Sequence, residues 1–180
     1  LPSNVQAIGL VPPQGRGELT LPPGQYQLVV TRGPEYSAWP DAWPSRGEPV
    51  DLLATDARVV ATLARVVDTT GWMSADLHVH AANSSDASTS NETRVLTFAA
   101  EGVDVLCATD HDFITDYAPV IAALGAGEVL ASMMGEEVTP FDYGHQQAYP
   151  VVRGAGANGG AFDWAGGDGP SLRLDQVYSG

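Results

Sequence analysis

The sequence predicts an α/β fold in which a β-rich region precedes alternating strands and helices. Within the first 72 of the 180 residues, short runs that alternate apolar and polar residues are joined by a proline–glycine turn, a pattern typical of β-structure. From residue 73 onward, apolar runs of strand length alternate with segments of helical pattern, which is typical of βαβ units. We therefore expect a sandwich-like β-rich domain over 1–72 and a second domain over 73–180 that forms a parallel sheet or barrel.

Short strands are expected in the N-terminal domain. Residues 18–21 and 25–31 have strand patterns on either side of the turn at 22–24. The segment 57–68 fits two structures: its valines are spaced for one face of a helix, but their number and the β-rich surroundings favour a strand. We expect a strand there.

The second domain is expected to alternate strands with helices. Thr89 and Glu92 have the spacing of a capping box, so a helix should begin there, run through Ala100 and end at Gly102. The remaining elements are expected as strands at 77–79, 103–109 and 128–133, a helix near 116–124, a glycine-rich loop at 154–169 and a last helix opened by Pro170.

The composition excludes several classes of protein. All eight basic residues are arginines, so no P-loop or Schiff-base lysine exists. The net charge of −14 argues against nucleic acid and anionic membranes as partners. Cys107 is the single cysteine, which excludes an intrachain disulfide; its place in a buried strand predicts an inert core residue. No apolar run has the length of a transmembrane segment.

Every histidine lies in a strongly acidic segment. The segment 76–145 contains all four histidines, twelve acidic residues and one basic residue, Arg94, so it carries −11 of the net charge. Such a charge cluster alone indicates a solvated acidic face. Its coincidence with all the histidines favours a metal site.

Two motifs follow apolar runs of strand type. The segment 76–80, Asp-Leu-His-Val-His, places two imidazoles on one face of a strand, because residues i and i+2 point the same way. The segment 109–112, Thr-Asp-His-Asp, lies where the strand at 103–109 ends, and sites in parallel α/β proteins form at the carboxyl ends of strands. Taken singly, the first motif is more often a structural histidine pair or a chance occurrence, whereas a solvated loop is the less favoured alternative for the second.

Three further candidates complete the set. Asp86 can reach back from the loop after the first strand, although an aspartate there is commonly a turn residue or helix cap. In the segment 135–139, Gly-Glu-Glu-Val-Thr, one of the two glutamates can face inward, although surface glutamates are common. His145 follows a glycine, where a lone histidine is more often structural than a ligand.

Together these motifs resemble those of the PHP (polymerase and histidinol phosphatase) superfamily of metal-dependent hydrolases, in particular its carbaryl-hydrolase-like branch. The resemblance implies a distorted (β/α)7 barrel of which 73–180 would be the first part. It implies metal ligands at His78, His80, Asp86, His111, Glu137 and His145. It also implies supporting roles around these ligands for Asp76, Asp110 and Asp112, with hydrogen bonds that orient imidazoles from Asp76 and Asp110.

The resemblance also implies a chemistry. Two or three divalent ions (Zn, Mn or Fe) would bind, and a metal-bound hydroxide would cleave a small-molecule ester, phosphoester, or carbamate or amide. The family's remaining ligands lie in the second half of its barrel, so we expect either that the C-terminal half is missing from this chain or that the chain assembles as a homo-oligomer. The alternative is a non-catalytic β-sandwich and half-barrel, a structural or binding module with an incomplete metal site. The absence of lysine and the β-rich region favour a secreted or periplasmic location over a cytoplasmic one.

Overall fold

The computed structural model of the chain describes residues 4–42, 44–141 and 143–165. Its N-terminal region holds one small sheet, in which β1 (Gln25–Leu28) pairs antiparallel with β2 (Glu48–Asp51). The strand predicted at 25–31 is therefore confirmed over its first four residues. Residues 18–21 form no strand.

The segment 57–68 is neither the strand that we expected nor a helix. One isolated bridge joins Arg65 to Tyr36. Val60 and Val66 are exposed, so the valines of this segment have no common buried face. Without a partner strand or a core to cover, the β propensity of valine does not by itself produce a strand.

A three-stranded parallel sheet forms the centre of the second region. Its strands are β3 (Ala75–Val79), β4 (Val105–Ala108) and β5 (Ala131–Met134), in that spatial order. The connections contain α1 (Asn91–Glu101) and α2 (Ala118–Ala123). The alternation of strands and helices predicted from residue 73 is thus present over these five elements.

The two strands that follow β5 pair with each other in antiparallel orientation. One residue, Gly135, separates β5 from β6 (Glu136–Val138), which pairs with β7 (Gln146–Ala148). A single 3-10 turn, Ala157–Gly159, follows.

The predicted fold class is wrong. The part of the chain that the structure describes has two α-helices, of 11 and 6 residues, and three separate sheets of two, three and two strands. A (β/α)7 barrel needs a helix after each parallel strand and enough strands to close the sheet. Here β5 leads directly into β6, with no helix between them. The single two-stranded sheet near the N-terminus is also not a sandwich, which requires two packed sheets.

Helix α1 is capped at both ends. Ser90 is its N-cap, and the Ser90 side chain accepts a hydrogen bond from the backbone N–H of Thr93. The cap predicted at Thr89 is therefore one residue too early. Gly102 ends the helix in the left-handed conformation (φ 74°), as predicted. The last helix predicted at Pro170 lies outside the described residues, and the boundary at residue 72 stays a prediction.

The core lies between the parallel sheet and the two helices. It includes Val79 of β3, Leu106 of β4, Val95 of α1 and Ile121 of α2. Cys107 is also fully buried. This packing fixes the ends of β3 and β4, and the candidate site begins where those strands end.

Candidate metal centre

Strand β3 supplies two histidines to one place. The imidazole rings of His78 and His80 lie with their centroids 4.9 Å apart, while Val79 between them is buried in the core. The register with β4 shifts between Asp76 and Val79, so His78 lies within an irregularity of the ladder. Such irregularities re-aim side chains, and this one is not visible in the sequence pattern.

The end of strand β4 is tied to the end of β3 by buried side chains. Thr109 Oγ1 accepts a hydrogen bond from Val79 N at 3.0 Å, and Asp110 Oδ1 accepts one from Ala81 N at 2.7 Å. Asp110 also accepts a short hydrogen bond from Thr115 Oγ1. Burial raises the pKa of Asp110, and these hydrogen bonds partly offset the rise. Asp110 therefore holds the loop after β3 in place from a fully buried position.

Ser84 organises the loop between β3 and α1. Its buried hydroxyl donates to Asp86 Oδ1 at 2.7 Å, lies 3.1 Å from His80 Nδ1 and accepts a hydrogen bond from His111 N at 3.1 Å. Asp86 Oδ1 is also 3.1 Å from His80 Nδ1, and Asp86 Oδ2 is 3.5 Å from His111 Nε2. Hydrogen bonds from Ser84 and His80 hold the pKa of Asp86 well below its usual range.

Glu137 lies at the centre of the cluster. Its Oε2 is 3.0 Å from His78 Nε2 and 2.8 Å from His80 Nε2, and its Oε1 is 2.9 Å from His145 Nδ1. His111 Nδ1 lies farther away, 3.6 Å from Oε2. Burial raises the pKa of Glu137, but the surrounding imidazoles outweigh burial and bring it below its ordinary value.

Close approach of two backbones positions Glu137. Gly135 N donates to Ala108 O at 2.7 Å, and a Cβ at position 135 would lie 2.9 Å from both that oxygen and Cys107 Sγ. The glycine therefore lets the chain run against the end of β4, where Glu137 N then donates to Asp110 O at 3.2 Å.

Adjacent glutamates point to opposite sides, as the strand alternation predicts. Glu136 is also buried, but its carboxylate accepts from Phe162 N at 2.9 and 3.0 Å and belongs to no metal-ligand group of the described residues. Burial raises the pKa of Glu136. Glu136 is therefore a natural control for Glu137.

Asp76 and Asp112, which were predicted with Asp110 to support the ligands, form hydrogen bonds to groups other than imidazoles. Asp76 is exposed and accepts from His78 N at 3.0 Å. Asp112 Oδ1 accepts from Thr139 N at 3.0 Å and from Trp164 Nε1 at 2.9 Å. Within the described ranges, no hydrogen bond joins Asp76, Asp110 or Asp112 to a histidine ring, so the orientation of imidazoles expected from Asp76 and Asp110 is not found.

Three residues that contact the histidines were not singled out from the sequence as site residues. Besides Ser84, Thr139 Oγ1 lies 2.7 Å from His111 Nδ1 and donates to Glu137 O, and Gln147 Nε2 lies 3.1 Å from His78 Nε2. Thr139 is the last residue of the segment 135–139, which stands out in the sequence for its glutamates. No sequence pattern points to Gln147, because β7 is brought to the site by antiparallel pairing with β6.

The structure brings all six predicted ligands together. Their donor atoms form three overlapping groups in which the atoms of each group lie within 4.8 Å of one another and could hold a metal ion. The groups are His78, His80 and Glu137; His80, Asp86 and His111; and His111, Glu137 and His145.

The donor set fits a transition-metal ion. Imidazole nitrogens with carboxylate oxygens suit Zn, Mn or Fe better than Ca. His80 Nε2 is buried and has no hydrogen-bond partner, although Glu137 Oε2 is 2.8 Å away. Buried polar atoms are normally paired, so an unpaired imidazole nitrogen facing a carboxylate is what a ligand site presents before its ion binds.

Similarity to known proteins assigns no family. A scan of protein-family models finds no match, and comparison with curated proteins and with solved structures finds no significant match. Among the described residues, no helix has the length and apolar character needed to cross a membrane.

Proposed function

We propose that this chain is a metal-dependent hydrolase of a small-molecule phosphoester, carbamate or amide, with a site for divalent ions formed by His78, His80, Asp86, His111, Glu137 and His145. The observation that carries the proposal is the position of the Glu137 carboxylate. Its two oxygens face different histidines, with Oε2 towards His78 and His80 and Oε1 towards His145. Glu137 belongs to two of the three candidate ligand groups, so its carboxylate could bind two ions.

Two carboxylates of the chain are in the form that binds a metal ion. The pKa values of Glu137 and Asp86 lie below their ordinary values, so both side chains are carboxylates at neutral pH, the form that binds a cation. When bound, divalent ions of this kind lower the pKa of coordinated water towards neutrality and polarise a carbonyl or phosphoryl group. A phosphoester and a carbamate or amide are both substrates for this chemistry.

The exposure of the cluster favours catalysis over a structural metal site. Structural sites are closed by protein ligands, whereas catalytic sites keep an open position. The His78 and His145 side chains are 57% and 49% exposed, whereas that of Glu137 is 5% exposed. The cluster thus has a buried base and an open side that a substrate can reach.

Membership of the PHP superfamily is part of this proposal. Its support is that the six residues identified by the family's motifs converge on one place. The proposal depends on these ligands and does not require a barrel.

Metal content per chain is the decisive measurement, by inductively coupled plasma mass spectrometry after buffer exchange. We expect at least one equivalent of Zn, Mn or Fe in the wild type, loss of metal in Glu137→Gln and in the double variant His78→Ala/His80→Ala, and wild-type content in Glu136→Gln. The matched pair is informative because the two glutamates are adjacent and both buried. Equal metal content in the wild type and Glu137→Gln would contradict the proposed ligand set.

Activity is tested on the same samples. We expect the metal-loaded chain to hydrolyse 4-nitrophenyl phosphate or an aryl N-methylcarbamate, and Glu137→Gln to lose that activity. A metal-loaded wild type that cleaves neither substrate would favour the non-catalytic binding module.

A further inference from the structure

Arg94 is a basic residue alone in an acidic region. It is the only arginine between Arg65 and Arg153, and twelve acidic residues lie between positions 76 and 145. Despite this, no ion pair or hydrogen bond of the Arg94 side chain occurs among the described residues, and its Nε is buried without a partner. A buried N–H without an acceptor costs free energy, and a bound anion could supply that acceptor.

The position of Arg94 indicates where that anion would lie. Arg94 lines an open cleft of about 450 Å³ together with His78, His80 and Asp86, three of the proposed metal ligands. Phe98, one helical turn further along α1, lines the same cleft. The cleft therefore combines one guanidinium, the apolar side chains of Val79 and Phe98, the carboxylate of Asp76 and the exposed side of the metal-ligand cluster.

We propose that the cleft binds the anionic group of the substrate, a phosphate or a carboxylate, through the Arg94 guanidinium. This inference rests on the proposed function and narrows it to anionic substrates. The guanidinium fork donates two parallel hydrogen bonds to such a group, which a point charge cannot do. Because the surrounding segment carries a charge of −11, an anion entering the cleft is repelled unless fixed positive charge offsets that field. Besides the proposed divalent ions, Arg94 is the basic residue of this segment that supplies it.

Binding of two simple anions tests the inference without relying on turnover. Isothermal titration with inorganic phosphate and, separately, with acetate would be performed on the full chain, both metal-loaded and metal-free. Three variants are compared with the wild type. Arg94→Gln removes the charge, Arg94→Lys keeps the charge but removes the fork, and Arg58→Gln removes an exposed arginine that does not line the cleft.

We expect the wild type to bind at least one of the two anions and Arg94→Gln to bind it at least tenfold more weakly, with metal content unchanged. Arg94→Lys should bind with intermediate affinity, and Arg58→Gln within twofold of the wild type. Loss of phosphate binding alone assigns phosphate esters, and loss of acetate binding alone assigns carboxylates. Wild-type affinity in both Arg94 variants, or no binding of either anion by the wild type, would overturn the inference.

Titration of both metal-loaded and metal-free protein distinguishes a failure of this inference from a failure of the proposed function. If the chain takes up no metal, the proposed function fails, but the metal-free titration still reports on Arg94. If metal binds and depends on Glu137 while Arg94→Gln binds both anions normally, the anion inference fails and the metal site stands.

Discussion

Glu137 Oε2 lies 2.8 Å from His80 Nε2, yet this buried nitrogen has no hydrogen-bond partner. The two atoms are within hydrogen-bonding distance, but the angle between them is unsuitable for a hydrogen bond. An ion that accepts both as ligands resolves the mismatch, because a metal needs donor atoms that converge on a shared point.

Metal binding should stabilise the fold. Since the ligands come from separate segments of the chain, the unfolded chain presents no preformed site, and binding free energy adds to folding free energy. At free metal one hundred times above Kd the gain is about 2.7 kcal/mol, which corresponds to roughly 5–11 °C in Tm for a chain of this size. Thermal unfolding with and without Zn or Mn, after treatment with a chelator, measures it. A Tm that does not respond to metal would contradict the site.

Ser84 should affect metal affinity without being a ligand. Ser84→Ala removes the hydroxyl that holds Asp86 and contacts His80, and it leaves His111 N without its acceptor. Loss of such supporting contacts typically lowers metal affinity about 10- to 100-fold. Competition with a metal-binding dye measures the change. The exposed neighbour provides the control: Ser85→Ala should bind metal like the wild type, and an equal effect of both substitutions would argue against the role of Ser84.

Cys107 should be unreactive in the folded chain. Burial raises the pKa of its thiol to about 11. A thiol reacts as the thiolate, so at pH 8 only about 0.1% is ionised, against roughly a quarter for an ordinary cysteine. Alkylation by iodoacetamide should therefore be at least a hundredfold slower in native than in denaturant-unfolded protein, and any native rate should rise as pH increases towards 11. Equal rates in the two states would show that Cys107 is accessible.

The N-cap of α1 can be located by substitution. Ser90→Ala removes the side-chain oxygen that accepts from Thr93 N and should lower the free energy of unfolding by about 1 kcal/mol. Thr89→Ala should have a clearly smaller effect, because no hydrogen bond of the Thr89 side chain occurs in the described part of the chain. Chemical denaturation of both variants distinguishes them; a larger loss from Thr89→Ala would restore the cap expected from the sequence.

Local signals in the sequence predicted the parts of the fold that depend on local chemistry. The apolar run at 103–109 contains β4, and Gly102 ends α1 because a left-handed residue is needed there. The strand predicted at 57–68 from similar local signals was wrong. Its valines were compatible with two structures, and in the described chain no partner strand or core selected either.

By itself, the sequence determined the candidate ligand side chains and their spacing: two histidines separated by one residue, a histidine after a buried strand, and a glutamate and a histidine further along. Only the tertiary structure decided the architecture and the connections of the site. Antiparallel pairing of β6 with β7 after β5 replaces the expected barrel, and close packing at Gly135 brings Glu137 against the end of β4. Gln147 and Arg94 join the site through such long-range packing, and Ser84 links its own loop to His111. Spacing along the chain fixes which side chains share one strand, but strand pairing and backbone approach fix which strands meet.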